Sequence, residues 1–193
     1  MKLSLIAASL LCVASLAAHA AGAPAPQGAG PYAGIDLGRS NLTMSGPLST
    51  VDSDKHGNTF KLYGGYQIDE TFGVEAGYTN FGRFGETARV GGATVQQDAK
   101  ARSFWAVGTT RLPLGESFGV HGRLGASFGK VTGDNVLPAS ANLMGTKTSL
   151  LAGIGVDYKL TSNLTLTADV DRYGKLSDNV KANTLTIGAK LSF

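Results

Sequence analysis

The chain has 193 residues, with 17 Lys and Arg against 14 Asp and Glu, a formal charge of +3. So small a basic excess does not support a nucleic-acid partner. Charged residues make up 16% of the chain where a soluble domain carries about 25%, and the 27 glycines are roughly twice the usual share, so a fully water-covered surface would be short of charge.

Residues 1–20 read as a cleaved secretory signal: Lys2, an apolar run from Leu3 to Ala18, then Ala18-His19-Ala20 as a small-x-small cleavage site. The mature chain is expected to start near Ala21, with 21–30 a short lead-in and 31–193 a single domain. Cys12 lies within the signal, so no disulfide is expected, and Leu11 before it is not the small residue that a lipid-acylation site wants. No later apolar run approaches the ~18 to 20 residues of a membrane helix.

From there the sequence alternates with period two, in eight stretches over about 31–40, 59–68, 72–81, 102–112, 117–129, 148–159, 164–172 and 183–193. Successive side chains of a strand point to opposite faces, so each stretch sorts into two sets. In the first, Ala33, Ile35 and Leu37 oppose Gly34, Asp36 and Gly38. The second puts Lys61 on its polar face, and the third sets Phe72, Val74, Ala76 and Tyr78 against Gly73, Glu75, Gly77 and Thr79. In the fourth, Phe104 and Trp105 are adjacent, and Phe104 is read as outward; Arg111 shares the polar parity. The fifth sets Phe118, Val120, Leu124, Ala126 and Phe128 against His121, Arg123, Gly125 and Ser127. The sixth sets Leu150, Ala152, Ile154, Val156 and Tyr158 against Gly153, Gly155 and Asp157, and the last sets Leu185, Ile187, Ala189, Leu191 and Phe193 against Thr186, Gly188, Lys190 and Ser192.

The connections alternate too. "NLTMSGPLSTVDSDKHGN", "GRFGETARVGGATVQQDAK", "KVTGDNVLPASANLMGTK" and the shorter "YGKLSDNVKA" read as long loops, whereas "DET", "PLGE" and "LTSN" are tight turns. A helical reading fails because glycines fall inside the periodic stretches, each costing roughly 1 kcal/mol in a helix. The pattern predicts an all-β protein: an eight-stranded antiparallel up-and-down transmembrane β-barrel with long extracellular loops and short periplasmic turns.

A soluble lipocalin-like calyx would use the same alternation with the apolar face inside. The polar face carries mostly Gly, Ser and Thr with roughly one or two charges per strand, too few for a wet exterior but suited to the narrow interior of an eight-stranded barrel. Aromatic positions agree. Tyr32, Tyr66, Phe72, Phe118, Tyr158 and Phe193 all lie beside a short turn or a terminus, as a periplasmic-side girdle would, and Phe60, Tyr78, Phe104 and Phe128 suit a second ring on the loop side. The membrane orientation is the reading adopted.

"YGGYQIDETFGVEAGYTNFG" resembles the second hairpin of the membrane domain of the outer membrane protein A family, and "FGVHGRLGASFGK", "LLAGIGVDYKLTSNLTLTADV" and "NTLTIGAKLSF" resemble its fifth, sixth to seventh and last strands. The likeness covers nearly the whole mature chain, through short glycine and aromatic motifs that related small barrels share. It implies the outer membrane of a Gram-negative cell envelope, with lipid and lipopolysaccharide as neighbours and the barrel-assembly machinery as a partner that reads Phe193 as its signal. It also implies an interior ion-pair network, onto which Asp36, Glu75, Arg123, Asp157 and Asp169 align; Lys61, Arg111 and Lys190 share the inward parity and are candidate positive partners. Interior water solvating these charges separately is the alternative. At Thr167 the family motif has an interior arginine, which puts in doubt the central pair thought to gate a small pore. Many full-length members continue into a peptidoglycan-binding domain; here the chain ends on the eighth strand, so that anchoring function is not carried over.

Three functions follow. The first is a structural and surface protein whose loops meet lipopolysaccharide, host or phage ligands; loop one carries Asp52, Asp54 and Lys55, and loop two Arg83, Glu86, Arg89 and Asp98. The second is a narrow ion or small-solute pore, porin-like. The third, a lipid A-modifying enzyme, needs a histidine activating a serine hydroxyl. His56 lies in a loop and His121 has inward parity away from lipid, so no catalytic residue is assigned. Two isolated histidines show no metal-ligand spacing, and neither metal nor cofactor is expected.

Overall fold

The computed structural model describes residues 29–44, 50–54, 56–90, 93–133, 145–177 and 180–193. The signal and most of the lead-in lie outside the described residues, as do Lys55 and the side chains of Asp52, Asp54, His56, Glu86, Arg89 and Asp98.

Nine strands are described: β1 (Gly30–Met44), β2 (Thr50–Asp54), β3 (His56–Gln67), β4 (Phe72–Val90), β5 (Ala93–Leu114), β6 (Phe118–Gly133), β7 (Gly145–Lys159), β8 (Leu164–Ser177) and β9 (Val180–Ser192). Eight of them form a ring of antiparallel neighbours in chain order, closed by β9 pairing with β1, where Tyr32 lies opposite Ser192 and Met44 opposite Val180. The short β2 pairs only with the far end of β4. Closure leaves no strand edge along the ring, which is what lets a sheet sit in lipid with every backbone group paired.

The outer surface is apolar along its middle: Ile35, Leu37, Val74, Leu124, Ile154, Val170, Leu185 and Ile187 all lie exposed. Their sequence neighbours face inward and are buried, including Asp36, Glu75, Arg123, Asp169 and Thr186. That is the reverse of a calyx in water.

Strands run further than the alternation predicts. The stretch "GRFGETARVGGATVQQDAK", expected as a loop, continues the β4–β5 ladder from Arg83 opposite Lys100 up to Val90 opposite Ala93. Part of the first loop forms β2, and β8 and β9 stay paired out to Ser177 and Val180 through two register shifts. Ladder hydrogen bonds are made by backbone groups, and polar Thr- and Val-containing sequence supports them without an apolar face.

Short connections close the other end. Asp69 accepts hydrogen bonds from the N–H groups of Thr71 and Phe72, each at 2.7 Å, and these hold its carboxyl below the usual carboxylate range. In the turn after β7, Thr161 Oγ1 accepts the Leu164 N–H at 3.0 Å.

The charged lumen as candidate functional site

Inward parity on all eight strands of the ring brings ten ionisable side chains into the lower and middle lumen: Asp36, Lys61, Glu75, Arg111, His121, Arg123, Asp157, Asp169, Asp171 and Lys190. Lys61 is the centre of one group. Its Nζ lies 2.9 Å from Asp36 Oδ2, 3.0 Å from Asp169 Oδ2 and 2.8 Å from Asp171 Oδ2. Arg123 is the centre of the other, with Nε 3.4 Å from Glu75, Nη2 2.9 Å from Asp169 and Nη1 3.3 Å from Asp171. Asp169 and Asp171 are therefore shared between the two cations. A buried charge without a partner is costly, and here each cation is surrounded by carboxylates.

Nearer the short turns, Asp157 gathers Arg111 Nε at 2.9 Å, His121 Nδ1 at 3.1 Å and Lys190 Nζ at 3.6 Å. The other His121 nitrogen, Nε2, lies 2.8 Å from Asp169 Oδ1. Glu75 accepts a hydrogen bond from the Tyr32 hydroxyl at 3.1 Å. A cavity of about 20 Å³ opens here among Gln67, Glu75, Arg111 and Lys190, room for roughly one water.

Above the charges the lumen changes character. Trp105 Nε1 donates to Thr79 Oγ1 at 2.9 Å, and that oxygen lies 2.8 Å from the Tyr173 hydroxyl. Tyr173 in turn meets Phe81 edge to face at 4.8 Å. Phe81, Leu42, Val131, Leu176 and Val180 are fully buried together at the loop end of the interior.

All eight charged residues that parity assigns to the lumen are placed there, and they pair with one another as described above. Asp171 was missed, although it continues the inward parity of Thr167 and Asp169. His121, given inward parity and no catalytic role, sits between two carboxylates. Thr167 stands where an arginine was expected and donates from Oγ1 to Asp36 at 3.3 Å. Phe104 is 62% exposed and Trp105 3%, so the outward residue of that pair is Phe104.

Tyr32 is a correction. Assigned to the girdle, it is buried in the lumen on Glu75. Its parity with Gly34 and Asp36 gave that answer, and its nearness to the terminus misled. The other five girdle positions face outward, with Phe72, Phe118, Tyr158 and Phe193 exposed and Tyr66 half-buried. Phe118 and Tyr158 pack at 4.9 Å, and on the loop side Tyr78 and Phe104 at 5.1 Å. Among the described residues no three His, Cys, Asp or Glu side chains are grouped to hold a metal ion.

Solved structures of similar shape are small outer-membrane barrels. Neisserial surface protein A matches at TM-score 0.60 and 21% identity, over 86% of this chain and 99% of that one. The outer membrane protein OprG from Pseudomonas aeruginosa matches at 0.61 and 14%, over 86% and 96%. Ail, the attachment invasion locus protein of Yersinia pestis, solved with the heparin analogue sucrose octasulfate, matches at 0.52 and 22%, over 85% and 99%. No curated protein sequence matches the chain. The family model of the outer membrane protein β-barrel domain matches residues 6–193, and with a closed ring that is apolar outside and charged within, the chain belongs to that family and to the outer membrane.

Proposed function

We propose that this barrel is a closed, non-conducting platform of the outer membrane that acts through its loop-side surface rather than through its lumen. The carrying observation is the two-part filling of the interior. Lys61 and Arg123 bind carboxylates contributed by β1, β4 and β8 across the bore, and the apolar layer of Leu42, Phe81, Val131, Leu176 and Val180 lies above them. An ion would have to displace the first and cross the second, and an apolar constriction excludes water. The test is conductance of the refolded barrel in planar bilayers. No channel events are expected from a sample that shows heat-modifiable migration, and steady conductance from such a sample would restore the pore reading.

A lipid A-modifying activity is disfavoured by His121, because both of its ring nitrogens face aspartates and neither is free to activate a serine. Unchanged lipid A mass spectra on deletion and overexpression are expected. The loops are the contact surface for lipopolysaccharide and for host or phage ligands; the complex of Ail with a sulfated sugar offers a precedent for a polyanion on a barrel of this shape. Phe193, exposed at the end of β9, is the signal for the assembly machinery.

A further inference from the structure

Just above the Tyr78, Phe104 and Phe128 ring, the outer wall of β4, β5 and β6 turns strongly basic. Strand pairing places Phe104 opposite both Tyr78 and Phe128, and two residues up it places Arg102 opposite both Asn80 and Lys130. Two further up, Lys100 lies opposite Arg83 and Thr132. Side chains directly opposite on one face stand about 5 Å apart, where like charges are destabilising. Here two such cationic pairs are stacked, and none of the four side chains pairs with a carboxylate among the described residues. Among the described side chains the exterior carboxylates, Asp69, Glu70 and Glu116, belong to the short turns at the opposite end, while the β4–β5 ladder carries Asp98 two residues above Lys100, opposite Gly85.

The wall is also hollowed at this point. The β4–β5 register shifts between Asn80 and Arg83, and Gly82 takes a φ of 83° with its N–H donated to Asn80 Oδ1 at 2.9 Å. A Cβ at Gly82 would press on the Asn58 backbone oxygen at 2.8 Å as well as straining the backbone. The bulge leaves a cavity of about 350 Å³ bounded by Asn80, Arg83, Lys100, Arg102 and Thr132, with Tyr78 as its lower rim.

We propose that Arg83, Lys100, Arg102 and Lys130, around the Asn80–Arg83 bulge, bind the phosphorylated headgroup of an outer-leaflet lipid, the phosphate-bearing sugar of lipopolysaccharide. This rests on the reading of the loop-side surface as the working face of an outer-membrane barrel. Guanidinium groups take phosphate oxygens in paired hydrogen bonds, and the long stems of Lys and Arg lie along apolar surface while their heads stay polar. A lipid is favoured over a soluble polyanion by depth: the cations flank the lipid-facing wall one step above the aromatic ring that marks the interface, not the summit of the loops. Acyl chains of such a lipid would run down over Phe104 and Phe128.

The test uses the full mature chain, refolded in detergent micelles and shown to be heat-modifiable, with rough lipopolysaccharide as the probe and bound lipid read by native mass spectrometry. The triple variant Lys100→Ser/Arg102→Ser/Lys130→Ser is expected to bind at least about tenfold more weakly, a loss of about 1.4 kcal/mol, while Arg172→Ser/Lys175→Ser/Lys181→Ser, with the same charge change on β8 and β9, keeps most of the binding. Dephosphorylated lipopolysaccharide should bind the wild type as weakly as the phosphorylated form binds the triple variant. Equal loss in both triple variants would overturn the site in favour of net charge, and binding of inositol hexaphosphate as tight as that of the lipid would overturn the lipid assignment. A chain that never gives the heat-modifiable form would overturn the barrel reading and the site with it, whereas a folded triple variant with normal binding would overturn the site alone.

Discussion

Asp171 and Lys61 meet across the bore at 2.8 Å, although one lies on β8 and the other on β3, 110 residues apart in the chain. The same carboxylate faces Arg123 at 3.3 Å, so it ties together the two cations on which the interior is organised.

Replacing Lys61 with methionine keeps all but the last atom of the side chain's length and removes its charge, leaving Asp36, Asp169 and Asp171 to share Arg123. Breaking a buried ion pair from one side costs about 3 to 5 kcal/mol. Urea unfolding in micelles should show a loss of that order, and adding Asp171→Asn to the Lys61→Met chain should recover part of it. A single variant as stable as wild type would mean that interior water solvates the carboxylates.

Glu75 and Val74 are neighbours in sequence on opposite faces. Glu75→Leu removes the acceptor for Tyr32 and Arg123 and is expected to destabilise the barrel by about 2 to 4 kcal/mol, whereas Val74→Leu, on the exposed face, should change stability by less than about 0.5 kcal/mol. Equal tolerance at the two positions would mean that the faces are assigned wrongly.

Tyr32→Phe separates a lumen residue from a girdle residue. Loss of one hydrogen bond to a charged group costs about 1.5 to 3 kcal/mol, so the substitution should lower the urea midpoint, while Tyr158→Phe on the outer wall should leave it nearly unchanged. The reverse order would return Tyr32 to the interface.

Gly188 and Gly38 lie on the seam where β9 meets β1. A methyl group at Gly188 would run into the Ile35 carbonyl and the Asp36 carboxylate, and one at Gly38 into the Leu185 carbonyl. Gly188→Ala should therefore impair closure and reduce the heat-modifiable fraction on refolding. Gly115→Ala, where open space surrounds the position but φ is +88°, should leave closure intact and cost only local strain.

At the short turns, Asp69 gives a pH dependence of definite sign. Its carboxyl is held below the ordinary range by two backbone N–H donors, so the stability it contributes is complete above the unfolded pKa of about 3.9 and is lost as pH falls through the lowered folded value. Asp69→Ala should lower the urea midpoint at pH 6, and the difference from wild type should vanish at strongly acidic pH. A gap that widened on acidification would reverse the sign and exclude this cause.

Alternation sorted Asp36, Lys61, Glu75 and Arg123 onto one face, because one buried face per strand leaves a period-two trace, and the sparse charge of that face with the unequal connections pointed to a ring with that face inside. Pairing was not legible, since which carboxylate reaches Lys61 depends on distances across the bore between strands remote in sequence. In the apolar layer, Leu42 and Phe81 escaped the same rule by inverting it, with apolar side chains on the inward parity, and Leu176 turns inward only after the register shifts that follow Tyr173. The extended β4–β5 ladder escaped because backbone hydrogen bonds leave no mark on polar sequence.

The seam also orders events in time. Phe193 donates its N–H to Pro31 at 3.0 Å, so the strand delivered last must fasten to the strand delivered first. Until β9 arrives, β1 presents an open edge, which invites pairing with any other extended chain, and within hydrocarbon each unpaired backbone group costs several kcal/mol. A half-inserted ring is thus no resting place.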